Sequence, residues 1–241
     1  MKKNFLIIIP ARYKSSRLPG KPLIDILGTP MLVRTFNQCR KVTSSDNIIV
    51  ATDDERISNL CIKNKIKYIM TSKKCLTGTD RVAEVAKKNK AEFYINVQGD
   101  EPLCNPSDLK KIINYSKRYP NKVLNGYTKI TEKKQFLSSN IPKVVFRKDG
   151  RLLYMSRAAI PTTKEKFFLQ AWRQVCIYSF PYKALLAFST KRKKTKLESI
   201  EDCELVRFLE LGFDVQMISM SNKSIAVDTK QDLIKVKKIL K

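Results

Sequence analysis

The chain has 241 residues, with 48 Lys and Arg against 22 Asp and Glu, a formal net charge of +26, 43% hydrophobic residues and no histidine. That length and balance fit a globular protein with one sizeable core, and the missing histidine excludes Ser–His and Cys–His nucleophile couples together with the usual zinc spacings. The 35 lysines outnumber the 13 arginines, fall in scattered pairs such as Lys87-Lys88, Lys110-Lys111 and Lys133-Lys134, and in the run Lys191–Lys194 are not interleaved with aromatics; this is the pattern of a solvated basic surface that attracts anionic substrates, not of a nucleic-acid site.

The first predicted element is a strand, Phe5–Ile9, closed by Pro10. Its apolar run is too short for a secretory core of roughly seven to fifteen residues or a membrane span of about twenty, so a cytoplasmic protein that binds no membrane is expected. Strands follow at Asn47–Ala51, Lys67–Met70 and Phe93–Val97. Between them, Met31–Lys41, Glu55–Asn64 and Asp80–Lys90 repeat apolar residues three or four apart, as helices do. Alternating strands and helices predict an α/β fold with a mostly parallel sheet, whose ligands gather at the carboxyl ends of the strands. Segment 123–185 reads differently. Val123–Ile130, Pro142–Arg147, Leu152–Ser156 and Gln174–Phe180 are strand-like and separated by turns, which predicts an additional antiparallel layer serving as an oligomer surface. A helix at Ile200–Leu211, a strand at Phe213–Ser219 and a helix at Lys230–Leu240 close the chain. The expected organisation is one domain, 1–241, with a core of 1–122 and 186–241 and a lobe of 123–185. Cys39, Cys61, Cys75, Cys104, Cys176 and Cys203 stand singly, with no C-x-x-C pair, and are expected to be reduced.

Four loops carry chemistry. Directly after the first strand, residues 9–22 place Arg12, Arg17 and Lys21 around one opening, where with backbone N–H groups they can cradle a triphosphate. Residues 97–102 put Asp100 behind Gly99 at a strand's carboxyl end, a position suited to a hard cation; Glu101 either shapes the turn or acts through water. Asp228, heading the last helix, is either its N-cap or a second carboxylate for that cation. In Thr77-Gly-Thr-Asp-Arg81 the small residues let a base or ribose lie against the backbone, while Asp80 or Thr79 caps a helix.

The strings IPARYKSSRLPGKPLIDILG (9–28), IIVATDDERI (48–57), TGTDRVAEV (77–85), INVQGDEP (95–102), PKVVF (142–146), LYMSRAAIP (153–161) and SIAVDT (224–229) occur in that order. Together they resemble the CMP-Kdo synthetases, or 3-deoxy-manno-octulosonate cytidylyltransferases, from residue 6 to about 236. The resemblance implies a nucleotide-diphospho-sugar transferase fold, Rossmann-like, and a homodimer. It implies a Mg2+-dependent enzyme that joins an acidic eight-carbon sugar to CMP from CTP for lipopolysaccharide biosynthesis. On this chain it places Pro10, Ala11, Arg12, Arg17, Lys21, Thr77, Gly78, Thr79, Arg81 and Asp100 on the nucleotide, with Lys21, Asp100 and Arg12 catalytic. Asp100 and Asp228 would hold Mg2+, and Gln98, Arg157, Gln174, Tyr178, Glu204 and Arg207 would meet the sugar. The chain departs from the family's R-H-[IL]-G-I-Y at Gln174 and Cys176, and from E-Q-L-R at residues 204–207. These departures fall on the sugar side, so 8-amino-3,8-dideoxy-manno-octulosonate is the alternative substrate.

Overall fold

The computed structural model describes residues 3–14, 18–190 and 193–241. The first strand, β1 (Lys3–Ala11), is buried on both faces: Leu6 and Ile8 join one apolar cluster, Ile7 and Ile9 another. That is why its sequence is a continuous apolar run without alternation. A small hairpin of β2 (Asp25–Ile26) and β3 (Thr29–Pro30) leads into α1 (Met31–Arg40), then β4 (Ile48–Thr52), α2 (Glu55–Lys63), β5 (Tyr68–Met70), α3 (Gly78–Lys88) and β6 (Ala91–Val97). Next come α4 (Pro106–Arg118), β7 (Val123–Lys129), α5 (Lys133–Leu137), β8 (Lys143–Phe146), β9 (Leu152–Ser156) and β10 (Trp172–Pro181). The chain ends through α6 (Tyr182–Thr190), α7 (Lys196–Glu201), α8 (Glu204–Glu210), β11 (Val215–Ser219) and α9 (Lys230–Leu240).

The main sheet runs β11-β7-β10-β6-β1-β4-β5. β1 is parallel to β4 and β6, β4 to β5, and β7 to β11, whereas β10 is antiparallel to both of its neighbours β6 and β7. The sheet is thus mostly parallel with one reversed central strand, and β8 and β9 extend antiparallel from β10. Segment 123–185 does supply the antiparallel pairing, but not as a separate layer. β7 and β10 lie inside the main sheet and only the β8–β9 ribbon leaves it, because the partner of a strand is set by contacts far along the chain. The helix predicted over 200–211 is two helices, broken at Asp202, whose φ of 49° is left-handed. Helices α4, α5 and α6 were not among the predicted elements. α4 carries a legible start signal: Asn105 Oδ1 accepts the Ser107 N–H, with Pro106 in the first turn.

Candidate functional site

A cleft of about 450 Å3 opens at the carboxyl ends of β1 and β6, where an open α/β sheet binds ligands. Pro10, Ala11 and Arg12 leave β1 into it, Gln98, Gly99 and Asp100 leave β6, and Lys21, Thr77, Gly78, Arg81, Glu204 and Asp228 complete the predicted residues that line it. Two glycines set this geometry. Gly20, at φ +67°, donates its N–H to the Tyr13 carbonyl (3.0 Å) and turns the chain so that Lys21 starts a short 3-10 turn. At Gly99 a Cβ would sit 2.9 Å from the Pro10 carbonyl oxygen, so only glycine lets the exits of β6 and β1 approach this closely. Arg17 lies outside the described residues, as do Lys191 and Arg192.

Lys21 stands between the two predicted metal aspartates. Its Nζ donates to Asp100 Oδ2 at 2.6 Å and to Asp228 Oδ1 at 2.9 Å, which keeps the two acceptor oxygens within about 5.5 Å of one another. Burial disfavours the ammonium, yet the two carboxylates outweigh burial and hold the Lys21 pKa above its usual value. The loop of Asp228 is tied to that of Asp100 by the Val227 N–H, which donates to the Asp100 carbonyl at 2.9 Å. Asp228 is not the cap of α9. Thr229 is: its Oγ1 accepts the Asp232 N–H (3.2 Å), and Asp232 Oδ2 accepts the Thr229 N–H (2.8 Å). Glu101 is buried at 4% exposure, with Oε2 unbonded, and burial, reinforced by the neighbouring Asp100 charge, raises its pKa to about 8.

At the start of α3 the cap is Thr77, paired reciprocally with Asp80, and not Thr79. The N–H groups of Gly78 and Thr79 donate to the Glu204 carboxylate at 3.1 and 3.0 Å, and the Thr79 hydroxyl also donates to it. Glu204 therefore neutralises the positive end of α3 from within the cleft wall. Burial leaves its pKa above the usual glutamate range despite those hydrogen bonds. Arg81, 4% exposed, touches the cleft, but its guanidinium is held by Asp53 and Thr71, both at 2.7 Å.

The residues expected to meet the sugar divide. Gln98 and Glu204 line the cleft; Arg157, Gln174, Tyr178 and Arg207 are not among its walls. Arg207 requires correction. It is 0% exposed, its guanidinium bonded to Glu198 at 2.5 and 2.7 Å and to Asp80 at 3.2 Å, and stacked on Phe188. It pins α8 to α7 and α3 and presents nothing to a ligand. Gln174 donates to Asn125 Oδ1 (3.2 Å) and to the Tyr178 hydroxyl (3.1 Å), buried beside a β-bulge that Asn125 fills by donating to the Val175 and Ile177 carbonyls. Arg157 donates to the carbonyls of Ser139, Glu201 and Asp202.

The cleft also contains residues not foreseen: Lys194, Glu198, Asp202 and Cys203. Asp202 accepts from Lys194 at 2.5 Å; burial works against its charge, but Lys194, Arg157 and Arg12 hold its carboxyl below the usual range. The break between α7 and α8 aims it there, and the unbroken apolar spacing across that break hid it.

Over residues 6–225 the chain matches the model of a family described as cytidylyltransferase. It is 37% identical to a 3-deoxy-manno-octulosonate cytidylyltransferase of Geobacter metallireducens, over 95% of this chain and 94% of that one. With its counterpart in Fusobacterium nucleatum the identity is 38%, over 97% and 95%. Among solved structures it matches a CMP:2-keto-3-deoxy-manno-octonic acid synthetase complexed with CTP, at TM-score 0.90 and 32% identity, over 99% of this chain and 98% of that one.

Proposed function

The chain belongs to the 3-deoxy-manno-octulosonate cytidylyltransferase family, and from that membership we propose that it transfers CMP from CTP to 3-deoxy-manno-octulosonate (Kdo), releasing pyrophosphate for the supply of activated sugar to lipopolysaccharide. One observation carries the reading of the site: Asp100 and Asp228, from opposite halves of the chain, both bond the Lys21 ammonium. Two carboxylates without further acidic ligands suit Mg2+, which completes its shell with water and substrate phosphates. Among the described residues no group of three or more Cys, Asp or Glu is arranged to hold a metal, so a cation bound here would share its shell with the nucleotide. When bound, Mg2+ supplies Lewis-acid neutralisation of phosphate charge and makes the attacking hydroxyl more acidic.

The chain's own residues do the rest. Arg12, exposed at the cleft mouth, and Lys21 at its floor bind triphosphate oxygens. Pro10, Ala11, Thr77, Gly78 and Gln98 form the adjoining wall against which cytidine lies. The anomeric hydroxyl of Kdo attacks the α-phosphorus; a new O–P bond forms as the hydroxyl proton passes to solvent, the bond to the β-phosphate breaks, and pyrophosphate departs in line. Positioning and charge neutralisation carry the barrier reduction. The test is pyrophosphate release from CTP and Mg2+ with Kdo, its 8-amino form and neuraminate. Highest kcat/KM with Kdo is expected; no release with Kdo, or a tenfold preference for the 8-amino sugar, would refute the assignment.

No helix among the described residues is long and apolar enough to cross a membrane. Six free thiols suit a reducing compartment, which supports action in the cytoplasm. A homodimer pairing through the 123–185 lobe fits the exposed Leu137, Phe167 and Leu169 there, and light scattering at twice the chain mass is the expected result.

A further inference from the structure

Lys21 is only 12% exposed, and its ammonium occupies the space between the carboxylates that a divalent cation would need. It is not held there by its own stem alone. The Gly20 N–H is bonded to the Tyr13 carbonyl, Pro22 is buried, and the Val227–Asp100 backbone bond fixes the two acidic loops against each other. Both acceptor oxygens are already hydrogen-bonded, and an ammonium next to a doubly charged cation repels it strongly at contact distance in partly buried surroundings. The pair and Lys21 together carry one net negative charge; without Lys21 they carry two.

We propose that Lys21 is a place-holder that locks the Asp100–Asp228 pair against free divalent cations and releases it when a nucleoside triphosphate draws the ammonium onto its phosphates. This rests on reading Asp100 and Asp228 as the cation-holding pair. Lysine suits the task because its ammonium is a point charge on a flexible four-carbon stem and can exchange carboxylates for phosphates without moving the backbone. Metal and nucleotide then bind as partners: whatever factor the triphosphate adds to metal affinity, the metal adds to triphosphate affinity.

The test is a titration of nucleotide-free protein with Mn2+, read by the electron paramagnetic resonance signal of the free ion. Wild type is expected to bind weakly. Lys21→Met and Lys21→Gln are expected to bind at least about tenfold tighter, within the roughly 5- to 150-fold range usual for coupled sites. Asp228→Asn added to Lys21→Met should erase the gain. Millimolar Mg2+ alone should leave the wild-type Tm unchanged and raise that of the Lys21 variants. Wild type binding Mn2+ as tightly as the variants, or gaining Tm from Mg2+ alone, would overturn the lock, and the wild-type melt decides this even where a variant fails to fold. If the variants gain nothing while Mn2+ still requires Asp100 and Asp228 in the presence of CTP, the lock falls and the cation pair stands. If Asp100→Asn and Asp228→Asn leave Mn2+ binding with CTP unchanged, the pair itself is wrong and the lock falls with it.

Discussion

Arg207→Met separates a structural arginine from a sugar-binding one. The guanidinium is fully enclosed, bonded twice to a Glu198 carboxylate that is itself 1% exposed, and further to Asp80 and the Phe188 carbonyl. Methionine fills much of the volume but leaves the Glu198 carboxylate buried without its partner, a change that costs about 3–5 kcal/mol. For a domain of this size each kcal/mol moves Tm by roughly 2–4 °C, so a fall on the order of 10 °C is expected. Adding Glu198→Gln removes the stranded charge while keeping a polar group at Thr195, and should recover most of the loss. Thermal and urea denaturation report the stability; kcat and the sugar KM, measured below the lowered Tm, should stay near wild type for the folded fraction. A wild-type Tm accompanied by a raised sugar KM would refute the reasoning and return Arg207 to the substrate.

Thr229→Ala should cost about 1 kcal/mol through the lost cap of α9 and leave turnover nearly unchanged, whereas Asp228→Ala should abolish turnover with little loss of Tm; the opposite pattern would make Asp228 the structural residue. Glu101, with its pKa raised to about 8 by burial, keeps its proton in the folded state after the unfolded chain has lost it. Its contribution to stability is therefore full below pH ~4.3 and declines as pH rises toward 8, by an amount of a few kcal/mol at most. Glu101→Gln should flatten that decline in metal-free denaturation measured from pH 5 to 8.5; an unchanged slope would show that Glu101 is ionised in the fold.

Much of this molecule is legible in its sequence, for identifiable reasons. β1, β4 and β6 are readable because strands buried on both faces must be continuous apolar runs, and Asp100 because Gly99 announces a close backbone approach at a strand end. The direction and neighbours of β10 are not readable, since its pairing with β6 and β7 is decided by segments more than forty residues away. The break at Asp202 escapes for another reason: Leu205, Val206 and Phe208 continue the helical apolar spacing, while the residues that hold Asp202, namely Lys194 and Arg157, meet it only in three dimensions. The same limit misplaces Arg207, because an arginine that pairs with a buried glutamate looks, along the chain, like one awaiting a carboxylate ligand. The start of α4 was available in Asn105-Pro106 and shows that capping residues can identify a helix whose apolar face is unremarked.

Asp100→Asn, assayed by pyrophosphate release with CTP, Mg2+ and Kdo, tests the site most directly. The amide preserves shape and a hydrogen bond to Lys21 but not the charge, so turnover should fall at least on the order of a hundredfold while Tm stays near wild type. Turnover within a few-fold of wild type would contradict a cation held between Asp100 and Asp228.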